Sequence, residues 1–205
     1  IAMNRIELIY EKTKWRPTYY FFCSSNCEDG RWGKDWSKSI LKAAHEPKTT
    51  PLVWSRYKPA IERNGEGTLP EKTIYLNKFS ENSVGNDNCF STNAWERLDK
   101  SGTSMNVALQ LAYYMNYEEV YVIGCDSNWE TATNTQGTDD GDINHFHKDY
   151  HAHIGDGAHE FWRMNTTHLT AKKFYDIAGK KIYNAGYNSA ITAYEKKKFD
   201  DLFGN

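Results

Sequence analysis

Five of the seven histidines of this 205-residue chain fall between Ser127 and Phe161: His145, His147, His151, His153 and His159. Asp142, Asp149 and Asp156 are interspersed among them. Two H-x-H pairs beside carboxylates supply the donor types of a metal site. Neither an H-E-x-x-H helix nor paired cysteines accompany them. A single histidine accepting a proton fits the stretch better, because imidazole titrates near neutrality. Spacing alone does not say which one. The aromatics Trp129, Phe146, Tyr150, Phe161 and Trp162 either stack on a sugar or base or pin the segment to the body. The pinning role suits Phe161 and Trp162, which abut the last helix.

Other polar groups sit where predicted elements end. Ser101-Gly102-Thr103-Ser104 opens a helix, so it offers free N–H groups and hydroxyls to an anion, or serves only as a cap. Asp126 ends a predicted central strand, where its carboxylate either faces a crevice or caps a loop amide. Cys23 and Cys27 read as buried thiols rather than a redox couple. Lys196-Lys197-Lys198 reads as a solvated face.

The elements that hold these groups follow from apolar patterning. Thr18–Cys23, Pro51–Trp54, Thr73–Leu76, Val120–Ile123 and Lys181–Ala185 are short apolar runs suited to strands buried on both faces. A helix is predicted around Lys34–Ala44. Met105, Ala108, Leu109, Ala112 and Met115 recur at helical spacing, with Asn116 as a stop. Ala171, Phe174, Ile177 and Ala178 form a second stripe, closed by Gly179. Residues 80–93 read as loop. Alternating helices and strands predict an α/β fold of Rossmann-like type: an open, mostly parallel sheet with helices on both faces. The expected organisation is one domain over 1–205 with a long lid insertion over 127–163. A lid at the carboxyl end of a strand lies where open α/β sheets bind ligands. The opening Ile1–Tyr10 reads as a start in mid-fold, as in a fragment.

Composition narrows the partners. Twenty-five basic and 27 acidic residues leave a formal charge of −2, which argues against a nucleic-acid binder. No run reaches the ~20 apolar residues of a membrane span. Four cysteines without C-x-x-C spacing suggest neither zinc nor a disulfide framework, so a cytoplasmic setting is expected.

Taken in order, these segments resemble the CMP-sialic-acid-dependent sialyltransferases of glycosyltransferase family 42. They also resemble the wider set of motility accessory factors and 6-hydroxymethylpterin diphosphokinase-like proteins. Met3-Asn4-Arg5-Ile6, Pro17–Asn26, Ser101-Gly102 with Tyr121–Asp126, Asn144-His145-Phe146 and Lys181–Ser189 carry the resemblance. It implies a metal-independent, inverting transferase moving a sialic-acid-like sugar from a CMP donor to a glycan hydroxyl. His145 would be the general base. Asn4, Ser24, Asn26, Ser101, Gly102, Thr103, Asp126 and Trp129 would line the donor side. No cofactor is implied, and a homo-oligomer is compatible with the aromatic surplus.

The departures from that pattern are specific. Trp129 stands roughly where the family has a tyrosine for the leaving phosphate, and it donates only one N–H. Only Arg97 and Lys100 bracket the place of the arginine before Ser-Gly. The family's Gly-rich strand and loop, expected before Ile1, is absent from the sequence. Two alternatives stand beside this reading. One is an ATP- and Mg²⁺-dependent diphosphokinase using Asp126 with Asp139, Asp140 and Asp142. The other is a nucleotide- or carbohydrate-binding relic without turnover.

Overall fold

The computed structural model describes residues 1–24, 27–28, 33–76, 79–80, 89–127, 146–147, 149–150, 161–187 and 189–202. The chain forms two compact units, Ile1–Asn77 with Thr131–Gly157, and Lys78–Glu130 with Ala158–Asn205. Both are mixed α/β with parallel strands, and the chain carries four α-helices among its described residues.

In the first unit β1 (Ala2–Met3), β2 (Tyr19–Phe22), β3 (Thr50–Trp54) and β4 (Ile74–Leu76) lie side by side in chain order, all parallel. Parallel neighbours need crossovers. These are a 3₁₀ turn at Ile6–Ile9, α1 (Gly33–Ala44) and α2 (Lys58–Gly65). The β2 run Tyr20-Phe21-Phe22 is wholly buried, so both faces of that strand are out of water. α1 buries Trp36, Ile40, Ala43 and Ala44 at helical spacing. It packs closely on α2, where a Cβ at Gly65 would lie 3.1 Å from the Ser37 backbone. Cys23 and Cys27 are both buried, as expected, and burial pushes the Cys27 thiol up to about 12. It stays a thiol, donating to the Ser24 carbonyl at 3.6 Å.

Four described residues of the expected lid belong to this unit. Tyr150 is buried, with its ring edge-on to Trp36 at 5.7 Å and Phe146 at 5.5 Å from it. Tyr150 therefore takes the pinning role. A buried Arg5 holds the same segment, donating from Nη1 to the Asp149 and Tyr150 carbonyls at 2.6 and 2.9 Å. Its Nε donates to Ser39 Oγ at 2.9 Å and lies 3.8 Å from Glu7 Oε1.

The second unit holds β5 (Phe79–Ser80) paired parallel with β6 (Leu98–Asp99), and a parallel sheet of β7 (Glu119–Val122), β8 (Lys181–Asn184) and β9 (Glu195–Lys196). α3 (Ser104–Tyr114) and α4 (Phe161–Ile177) cover one face. Their core joins Phe90, Leu109, Val122, Ala171, Tyr175 and Ile182. Phe90 stacks on Phe174 at 5.0 Å, and the Tyr175 hydroxyl donates to the Leu109 carbonyl at 2.8 Å. The other face leaves Tyr121 and Ile123 exposed, with Tyr121 stacked on Tyr183 at 5.0 Å.

The expected α4 stripe is out of phase at its end. Ile177 is 74% exposed whereas Tyr175 is fully buried, because the helix ends at Ile177, past the edge of the core. Both helices stop as expected, on Asn116 (φ 65°) and Gly179 (φ 71°). Lys180 ties the two ends together, donating to Asn116 Oδ1 at 2.9 Å and to the Tyr117 carbonyl at 3.1 Å. No described helix is long and apolar enough to cross a membrane.

Candidate functional site

The Ser101 turn is fixed by a buried amide network. Asp99, Asn106 and Gln110 are almost completely buried. Gln110 Nε2 donates to the Asp99 carbonyl at 2.7 Å, and Gln110 Oε1 accepts from the Asp99 and Ser91 amides at 2.9 and 3.0 Å. Asn106 Nδ2 donates to the Cys89 and Asp99 carbonyls. One Asp99 oxygen accepts from the Ser101 amide at 2.7 Å. Thr103 is the N-cap, its hydroxyl accepting from the Met105 amide at 3.3 Å. Three buried atoms are left over: Asp99 Oδ2, Ser101 Oγ and Asn106 Oδ1 have no hydrogen-bond partner among the described residues. Each such atom costs about 1–3 kcal/mol. A polar ligand reaching them would offset that cost.

Gly102 supplies the left-handed conformation the turn requires (φ 78°). A Cβ there would collide with α4, at 2.9 Å from the Arg163 carbonyl and 2.8 Å from Thr167 Oγ1. One residue further along α4, His168 Nε2 lies 3.9 Å from Cys125 Sγ, at the end of β7. The α4 stretch 163–168 therefore gathers the Ser101 turn and the β7 tip within one unit.

At that tip Asp126 is exposed. Its carbonyl accepts from the Ala190 amide at 2.6 Å, and Ser189 Oγ donates to the Cys125 carbonyl at 2.9 Å. A depression of about 330 Å³ opens beside Gly124, Asp126 and Gly186. Sequence reasoning missed Gly186, Tyr187 and Phe199 on its wall. The available signal was their place just after the last two strands.

Cys125 and His168 invite comparison with a nucleophilic dyad, but their ionisation argues otherwise. Burial pushes the Cys125 thiol up to about 11 and the His168 imidazole down to about 4. Both are neutral at pH 7, whereas a thiolate nucleophile needs a lowered thiol pKa. His168 Nδ1 also lies 2.9 Å from the Tyr194 hydroxyl. In a neutral imidazole one nitrogen donates and the other accepts, so the ring bridges β7 and the C-terminal segment.

A pH dependence follows. The fold favours neutral His168, so its contribution is whole above the unfolded value of 6.5 and is lost as pH falls towards about 4. The loss is about 3 kcal/mol at ~1.4 kcal/mol per pH unit. Urea unfolding at pH 7 and pH 4.5 checks it. The wild-type protein is expected to lose more stability over that interval than His168→Gln, and equal losses would count against it.

In the first unit Asn4 has φ 57°, and its carbonyl accepts from the Tyr20 hydroxyl at 2.6 Å. Ser24 follows β2, half-buried. Asn26, Trp129 and His145 lie outside the described residues, as do His151, His153 and His159. His147 Nδ1 accepts from the Asp149 amide at 3.2 Å. Among the described residues no three His, Cys, Asp or Glu side chains gather as metal donors. Asp139, Asp140 and Asp142 lie outside them.

No family model, curated protein or solved structure matches the chain.

Proposed function

We propose that the protein is a Rossmann-like transferase that moves a sialic-acid-like sugar from a CMP donor to a glycan hydroxyl, with inversion and without a metal. The observation that carries the reading is the meeting of the Ser101 turn and the Cys125–Asp126 strand tip along residues 163–168 of α4. The positive end of the α3 dipole lies at this turn and favours a phosphate. The Ser101 hydroxyl, without a partner among the described residues, adds a donor there. Asp126, exposed at the tip, accepts from a sugar or ribose hydroxyl. By the family resemblance, Asn4, Ser24, Asn26 and Trp129 are assigned to donor binding and His145 to taking the acceptor's proton.

The chemistry suits such a site. CMP departs as a phosphate monoester, and hydrogen-bond donors stabilise its developing charge. The tertiary anomeric carbon supports an oxocarbenium-like transition state, so positioning and one proton transfer are what the protein supplies.

Thermal unfolding of the full chain with CMP, ATP and ATP plus Mg²⁺ tests the reading. CMP is expected to raise the midpoint more than ATP does, since a native-state ligand at 100 times its Kd adds about 2.7 kcal/mol. Stabilisation only by ATP with Mg²⁺ would move the assignment to a diphosphokinase. No shift with any of them would leave a fold without nucleotide affinity.

A further inference from the structure

We infer a second ligand site at the carboxyl ends of β7 and β8, walled by the β9 segment and suited to a nucleoside phosphate. A depression of about 480 Å³ lies there between Gly186, Tyr187, Lys196, Lys198 and Phe199. It shares Gly186, Tyr187 and Phe199 with the space beside Asp126, so the two form one groove. Ligand pockets commonly span roughly 300–1,000 Å³. The outside of the carboxyl ends of parallel strands is where open α/β sheets bind them.

The charge on the wall is uneven. Lys197 is tied to Glu195 at 2.9 Å and lies over the Tyr183 ring at 4.9 Å. Lys196 and Lys198 are exposed and make no ion pair among the described residues. Two ammonium groups without an ion pair among the described residues thus stand on one rim, with the Asp200 carboxylate on the same wall, in a chain whose net charge is −2. Lysine serves phosphate as a mobile point charge. Gly124, on the groove floor with φ 66°, has no atom within 4 Å of where a Cβ would stand, which leaves its backbone open to close approach.

The ring-binding element is Tyr187. Its ring is 77% exposed, yet its hydroxyl donates to Asp200 Oδ2 at 3.1 Å, which restrains the ring at the groove's edge. A restrained, exposed aromatic beside two lysines that are unpaired among the described residues matches a ligand with a flat ring at one end and phosphate at the other. Such a ligand is a nucleoside phosphate rather than a bare anion. The site adjoins the Asp126 part of the transferase reading but takes nothing from the Ser101 turn, so it can hold without that reading.

The test is a titration of the full chain with ADP, adenosine and inorganic pyrophosphate, followed by NMR and calorimetry. ADP is expected to bind and to shift the Gly186, Tyr187 and Lys196–Lys198 amides. Lys196→Glu with Lys198→Glu is expected to weaken ADP at least 10-fold with unchanged circular dichroism. Tyr187→Ala is expected to weaken ADP while leaving pyrophosphate unaffected. Ser101→Ala is expected to weaken CMP and leave ADP affinity intact, which separates the two readings: ADP binding by a wild-type chain that does not bind CMP counts against the transferase alone. Absence of ADP binding, indifference to the lysine reversals, or pyrophosphate binding as tightly as ADP would each overturn the nucleoside phosphate site.

Discussion

Replacing Arg5 with Met is expected to destabilise the first unit by about 3–5 kcal/mol, the scale of breaking a buried ion pair from one side. The guanidinium is buried among groups that need it: the Ser39 hydroxyl, the Asp149 and Tyr150 carbonyls, and Glu7. Glu7 is 2% exposed, and its Oε2 has no hydrogen-bond partner. Burial already raises its pKa, with Ser39 and Arg5 pulling the other way. Without Arg5 the carboxylate loses its guanidinium neighbour, so the fold favours its protonated form more strongly. For an acid whose pKa is raised on folding, stability is greatest at low pH and falls as pH rises through its titration. The Arg5→Met deficit is therefore expected to be larger at pH 7 than at pH 4, and Glu7→Gln in the same chain should recover part of it. Urea unfolding of the three variants measures both effects. A loss below about 1 kcal/mol, the usual ceiling for exposed pairs, would mean the network contributes no more than a surface ion pair.

Under the proposed transfer reaction, His145→Ala is expected to lower sugar transfer by about 10²–10⁴-fold, the usual contribution of a positioned general base. CMP affinity is expected to stay near the wild-type value, because the imidazole acts on the acceptor hydroxyl. The informative measurement compares transfer with donor hydrolysis. Loss of transfer should leave a residual hydrolysis in which water replaces the acceptor. A variant that transfers as fast as the wild type would remove His145 from the reaction. An equal fall in CMP binding would recast it as a donor-side residue.

Elements with a clear apolar rhythm were legible from residue types alone: α1, β2, β3, β4, α3, β7, α4 and β8 all lie where their patterns put them. Those without one were not. α2 buries only Ala60 and Ile61 within a polar run and opens with a proline. β9 consists of two exposed charged residues and is held by backbone pairing with β8, which side-chain type does not report. The core of α4 includes Thr167 and His168, so a purely apolar stripe misplaced its face. Around the Ser101 turn the capping chemistry was readable, but its foundation was not. Asp99, Asn106 and Gln110 are polar residues at core positions, where their mutual hydrogen bonds replace hydrophobic packing. Lys196 and Lys198 are exposed, as a solvated face would be, but they also wall a groove that only the fold creates.

The arginine that anchors Asp149 and Tyr150 reaches across more than 140 positions of chain. On the ribosome, the polypeptide is made from its first residue onward, at about 5–20 residues per second. Arg5 and Glu7 thus wait several seconds for those carbonyls, and the Trp36 face that will receive Tyr150 stays uncovered meanwhile. The whole of Lys78–Glu130 is synthesised within that delay. During biosynthesis the first unit is therefore a partner in search of its own missing strand of contacts, and this interval is when a nascent-chain chaperone would have the most to hold.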